Sequence, residues 1–125
     1  MADMSVRLTL STMNIYETER LLNEYLLFHY GTHDEILPWE FGPKEALGCA
    51  KRSVIDLLDT AVIPREARAL DLGCAVGRSS YELARECDEV IGVDYSHRFI
   101  KAAEISSRSS MREAASGKGR LCSAS

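Results

Sequence analysis

The chain has 125 residues, 46% hydrophobic and 27% charged, which suits one domain with its own core. A formal net charge of -4 and an isoelectric point near 5.4 argue against bulk attraction to nucleic acid or an anionic membrane. No apolar run approaches the roughly 20 residues of a membrane span, and no signal-peptide pattern opens the chain, so a cytoplasmic protein with no nucleic-acid or membrane partner is expected.

Asn14 followed by Glu17 has the spacing of a capping box, which predicts a helix over Ile15 to Tyr30. Ile15, Leu22, Leu26 and His29 share one face of it, flanked by Leu21, Tyr25 and Phe28, and Gly31 supplies a left-handed stop. Residues 1–13 show no clear period and are expected to be flexible. The loop Thr32 to Gly42 carries Pro38, Trp39 and Phe41, and a loop this aromatic is expected to fold over the domain. Pro43 suits a first helical position, and Ala46, Leu47, Ala50, Val54, Leu57, Leu58 and Ala61 mark a second amphipathic helix that ends before Pro64.

Arg68-Ala-Leu-Asp-Leu72 reads as a short buried strand of a sheet covered on both faces. A glycine turn follows, then a helix through Tyr81, Leu83, Ala84 and Cys87 that Ser79 or Ser80 can cap. Glu89-Val-Ile-Gly-Val-Asp94 is a second strand, and Ser96 caps a third helix that fades near Ser107. The fold class expected is α/β, two helices followed by a βαβ unit and a third helix. Residues 14–107 form this partial domain. Residues 108–125 hold almost no large apolar side chain, are basic and serine-rich, and are expected to be a disordered tail. That tail has no interleaved aromatics to suit nucleic acid.

The chemistry concentrates in Asp71-Leu-Gly73-Cys74-Ala75-Val-Gly77. Glycines where a strand turns into a helix let a ligand approach the backbone and its amides. Asp94, 21 positions after Gly73, ends the second strand, where a carboxylate can accept from both hydroxyls of a ribose. A dinucleotide fingerprint is not matched, since Ala75 and Arg78 stand at its second and third glycine positions, and a phosphate-binding Gly-Lys-Ser/Thr is absent. Asp71 instead suits a cofactor that carries an ammonium group and no phosphate.

Asp71-Leu-Gly73-Cys-Ala75-Val-Gly77 with Val-Ile-Gly-Val-Asp94 resembles the first two motifs of class I S-adenosylmethionine-dependent methyltransferases. The resemblance covers about half the chain. It implies a Rossmann-like fold, S-adenosylmethionine as cofactor, a turn that cradles its amino-acid end, and an acid that holds its ribose. The cofactor-binding residues it implies are Asp71, Gly73, Cys74, Ala75, Gly77, Asp94 and Tyr95, with Ala75 departing from the usual middle glycine. Tyr16-Glu-Thr-Glu, Leu22-Asn-Glu-Tyr-Leu-Leu-Phe-His-Tyr-Gly31, Leu37-Pro-Trp-Glu-Phe-Gly-Pro43 and Asp94-Tyr-Ser-His-Arg-Phe-Ile100 are similar to the methyltransferases of ovothiol biosynthesis. That likeness implies a thiol-bearing histidine as the small-molecule acceptor, methylated on its imidazole.

Other signals have bland readings. Cys49, Cys74, Cys87 and Cys122 form no C-x-x-C and sit beside no histidine at zinc spacing, so reduced thiols are expected, Cys74 serving as a small side chain in a crowded turn. His29, His33 and Glu35 spell H-x-x-x-H-x-E, but Gly31 separates the histidines and no metal site is expected. Arg52 could reach a cofactor carboxylate or be a solvated helix residue. No catalytic residue can be named.

A methyltransferase sheet of the implied class has about seven strands over ~200 residues, whereas two are legible here, so the chain is expected to be an incomplete copy without the acceptor half. Two readings follow: a methyltransferase, or a catalytically inactive fragment that binds cofactor weakly or pairs with another chain at an exposed sheet edge.

Overall fold

The computed structural model describes residues 14–113 and 120–123; the segment 1–13 expected to be flexible lies outside them, as do 114–119 and 124–125 of the expected tail. Asn14 does accept a backbone amide, that of Tyr16 at 3.1 Å, yet it starts only a 3-10 turn, Ile15–Glu17. The first α-helix, α1 (Glu19–Tyr30), begins after Thr18, whose hydroxyl accepts from the Leu21 amide at 3.3 Å. The expected Asn14–Glu17 box therefore does not form, and Glu17 is directed elsewhere. Gly31 ends α1 in extended backbone (φ -65, ψ 157), not the left-handed stop expected. Glycine is needed there for space, because a Cβ would lie 2.5 Å from the Leu27 carbonyl oxygen and 2.8 Å from Leu27 Cδ1.

A capping box does form one turn later, between Thr32 and Glu35, and starts α2 (His33–Ile36). The aromatic loop departs from expectation: Trp39 and Phe41 are 58% and 77% exposed, so the loop does not bury them. The second long helix is broken into a 3-10 turn Lys44–Ala46, α3 (Cys49–Ile55) and a 3-10 turn Thr60–Val62. Gly48 is left-handed (φ +69) before α3, and the Asp59 carboxylate accepts from the Ala61 amide at 3.0 Å, giving the backbone a local alternative to helix.

From here the chain alternates: β1 (Arg68–Leu72), α4 (Arg78–Leu83), β2 (Glu89–Val93), α5 (His97–Glu113) and β3 (Arg120–Ser123). The strands form one parallel sheet in the order β1-β2-β3, with Leu70 opposite Ile91 and Leu72 opposite Val93. Arg68 and Glu89 pair as ions at its base. Two expectations are corrected here. Helix α5 continues to Glu113 instead of fading near Ser107, since extending a nucleated helix is far cheaper than starting one. Arg120–Ser123, placed in the disordered tail from composition, pairs with Glu89–Gly92 as a third strand.

Two small cores hold these elements. Ala67, Cys87 and Val90 pack with Ile63, Ala69, Leu83 and Ala84 where α4 covers the sheet. Ala75, Val76 and Phe99 pack with Leu21, Leu22, Tyr25, Leu26 and Tyr30, so the apolar face of α1 closes on the glycine turn and α5. The other sheet face is open at β1, where Leu70 and Leu72 are 60% and 74% exposed. This corrects the expectation of a strand covered on both sides. No helix among the described residues is long and apolar enough to cross a membrane.

Candidate cofactor site

Strand β1 delivers Asp71 to its C-terminal end, and residues 73–77 turn the chain back into α4. Gly73, Ala75 and Gly77 all take positive φ, +74, +49 and +84. Alanine in this region costs about 1–2 kcal/mol of backbone strain. At Ala75 the cost is offset in part because its methyl, in a residue 8% exposed, joins the Val76–Phe99 core, and a buried methyl contributes about 0.8 kcal/mol.

The second strand closes the turn. The Val93 carbonyl accepts from the amides of Gly73 (2.7 Å) and Cys74 (3.1 Å). One Asp94 oxygen accepts from the Ala75 amide at 2.9 Å and the other from the Ser96 amide at 2.8 Å. Asp94 thus fastens the glycine turn to the start of α5. A carboxylate has about four lone-pair directions, so two remain for the hydroxyls of a ligand.

Asp71 has local partners too. The Ser79 and Ser80 hydroxyls both donate to its Oδ2 at 2.7 Å, which explains why neither caps α4; Gly77 takes the cap position instead. Oδ1 of Asp71 takes no hydrogen bond among the described residues. Cys74 is 2% exposed, and its sulfur would lie 3.0 Å from a Cβ placed on Gly92. Burial, aided by Asp71 and Asp94, pushes its thiol up to about 11, which keeps it protonated. Tyr95 is 83% exposed beside Asp94. The structure therefore gathers Asp71, Gly73, Cys74, Ala75, Gly77 and Asp94 around one turn, with Tyr95 projecting at its border.

Three contacts of this site join residues far apart in sequence. The Tyr30 hydroxyl donates to the Val76 carbonyl at 2.8 Å. The Ser96 hydroxyl donates to the Tyr16 carbonyl, and the Glu17 carboxylate accepts from the His97 amide, both at 2.8 Å. A tyrosine on the apolar face of a helix, with a hydroxyl needing a partner, was the one sequence signal for the first of these.

Arg52 lies outside the site: it bonds Asp56 (3.0 Å) and the Glu45 carbonyl (2.6 Å) on an exposed surface. Glu35 is engaged by Thr32 rather than by the histidines, and among the described residues no three His, Cys, Asp or Glu side chains gather as a metal site. His29 stacks on Tyr25 with its Nδ1 buried and without a protein partner. Burial and then the nearby Arg78 lower its pKa, so the fold favours neutral imidazole. Stability from this group is present above the ordinary histidine value of ~6.5 and is lost as pH falls below it. His29→Gln should therefore show a smaller drop in urea midpoint between pH 7.5 and 5.5 than the parent chain; equal drops would contradict this.

Residues 63–122 match the family model of a methyltransferase domain, a span that holds every site residue read from the sequence. No curated protein matches the chain significantly. Among solved structures, the YcgJ protein of Bacillus subtilis is 24% identical over 60% of this chain and 30% of its own, with a TM-score of 0.44. An S-adenosylmethionine-dependent methyltransferase from Clostridium acetobutylicum is 17% identical over 84% of this chain and 37% of its own, with a TM-score of 0.43. A protein solved for the conversion of a disulfide bond into a thioacetal group during echinomycin biosynthesis is 25% identical, covering 58% and 28%, with a TM-score of 0.39. The chain thus spans about a third of the length of these structures.

The alternating β1-α4-β2-α5-β3 unit with its parallel sheet is consistent with part of a Rossmann-like class I methyltransferase fold, and the domain match indicates S-adenosylmethionine as the cofactor. The residues present fit it. A Cβ added at Gly73 would meet nothing within 4 Å, so the turn keeps an open cradle beside the spare lone pairs of Asp94.

Proposed function

We propose that this chain carries the cofactor-binding unit of a cytoplasmic S-adenosylmethionine-dependent methyltransferase whose acceptor is a thiol-bearing histidine, methylated on an imidazole nitrogen as in ovothiol biosynthesis. The bond from Asp94 to the Ala75 amide carries this reading, because it ties an acidic strand end to an open glycine turn. The acceptor rests on the N-terminal sequence likeness, from Tyr16 to Pro43. When bound, S-adenosylmethionine supplies an electrophilic methyl group. Gly73, Ala75 and Gly77 shape the turn that receives its amino-acid end, Asp71 offers Oδ1 to its ammonium, and Asp94 accepts from its ribose hydroxyls. Cys74 fills the space behind the turn, and Tyr95 borders the nucleoside. The residues contribute mainly by holding the two reactants close and oriented. Incubation with isotopically labelled S-adenosylmethionine and 4-mercaptohistidine, followed by mass spectrometry, tests the acceptor. One added methyl on the imidazole is expected; equal transfer to histidine would contradict the assignment.

The exposed Leu70 and Leu72 favour a second reading, in which the chain binds cofactor weakly and pairs with another chain at the β1 edge. Under that reading, sedimentation would show assembly and the purified chain alone would transfer no methyl group.

A further inference from the structure

The segment from Tyr16 to Tyr30 touches the site at two separate places, and the domain match begins only at residue 63. At one end, Tyr30 holds the Val76 carbonyl while the other side of the same peptide unit, the Gly77 amide, donates to the Cys74 carbonyl at 2.8 Å. Both sides of this planar unit are thus fixed, and so is the dihedral setting of the turn next to it. The Tyr30 ring is held in turn by the Arg78 guanidinium, 5.4 Å from its centroid, and Arg78 is paired with the buried Glu82 at 2.8 Å. Burial raises the phenol well above its ordinary pKa, so it remains a donor across the physiological range.

At the other end, the fully buried Ser96 donates to the Tyr16 carbonyl and accepts from the Phe99 amide at 3.1 Å, and Glu17 takes the His97 amide. Ser96 is also the residue whose amide reaches Asp94. The first contact acts on the glycine turn and the second on the acidic loop.

Resting on the cofactor reading above, we propose that this N-terminal segment is a two-ended brace: Tyr30 positions the loop for the amino-acid end of the cofactor, and Glu17 positions the loop for its nucleoside end. Neither residue touches the reacting atoms; each acts through a backbone group of a cofactor loop. Loss of one hydrogen bond corresponds to a ~2- to 12-fold change in an equilibrium constant.

Calorimetric titration with adenosine and with S-adenosylhomocysteine separates the two ends. Tyr30→Phe should weaken S-adenosylhomocysteine about 5- to 10-fold and leave adenosine within about twofold. Glu17→Ala should weaken both ligands by similar factors, and Glu17→Gln, which keeps an acceptor for the His97 amide, should restore them. Ser53→Ala is the control, since its hydroxyl donates to the Ala50 carbonyl on α3, outside the turn. A uniform loss for Tyr30→Phe, no loss at all, or the same ligand split in Ser53→Ala would overturn the proposal. Amide hydrogen exchange on the ligand-free chain tests the brace even if the cofactor reading fails. Tyr30→Phe should accelerate exchange over residues 73–77 alone, and unchanged exchange there would contradict it.

Discussion

Gly77→Ala is expected to lower stability by about 2–5 kcal/mol, enough to unfold a domain of ordinary stability in part or in full. Gly77 holds φ +84, where an alanine costs about 1–2 kcal/mol. Its new methyl would also stand 2.9 Å from the Ala103 Cβ and 3.4 Å from two ring carbons of Tyr81, and overpacking of this kind costs about 1–3 kcal/mol. Ala103 is buried on α5 and cannot turn aside, so the two helices must part. Ala75→Gly is the matching contrast two residues away. There the relieved strain of about 1–2 kcal/mol is set against a lost buried methyl of about 0.8 kcal/mol, so the change should stay within roughly 1 kcal/mol. Urea unfolding of both variants checks the pair, and a comparable loss in each would contradict this account of the turn.

Asp94→Ala should remove both binding and part of the fold. Its two oxygens satisfy the amides of Ala75 and Ser96, residues 8% and 0% exposed, and a buried donor left without a partner costs about 1–3 kcal/mol. A stability loss of about 2–4 kcal/mol is expected, together with a fall in cofactor affinity of at least ~10-fold measured where the variant is still folded. Asp94→Asn should fall between, because an amide keeps one acceptor oxygen and presents an NH2 group to the other donor. An asparagine variant weaker than the alanine one in both respects would show that the carboxylate is not acting as the acceptor described.

The parts of the fold that were legible in the sequence are those set by short-range pattern. The runs Arg68–Leu72 and Glu89–Val93 are apolar and bounded by glycine and acid, and both are strands. Ser96 caps α5 because its hydroxyl accepts from the Phe99 amide three residues ahead of it. The helix starts nearer the N-terminus were misplaced because capping is a choice among local acceptors: Asn14, Thr18 and Thr32 each take an amide, and only geometry decides which one opens a full helix. Gly48 broke the second helix because a glycine that reads as tolerable in a helical window adopts the left-handed state. The strand Arg120–Ser123 is specified by the edge of β2, not by its own composition. At the site, the turn and Asp94 could be read from spacing. Tyr30 is 46 residues from Val76 and could not be, because nothing local records which carbonyl a distant hydroxyl will meet.

Calorimetric titration of the purified chain with S-adenosylmethionine tests the central claim most directly. The open cradle at Gly73 and the spare lone pairs of Asp94 predict binding tighter than ~100 μM, about 5.5 kcal/mol, that disappears in Asp94→Ala. A folded chain that releases no heat with millimolar ligand would contradict it.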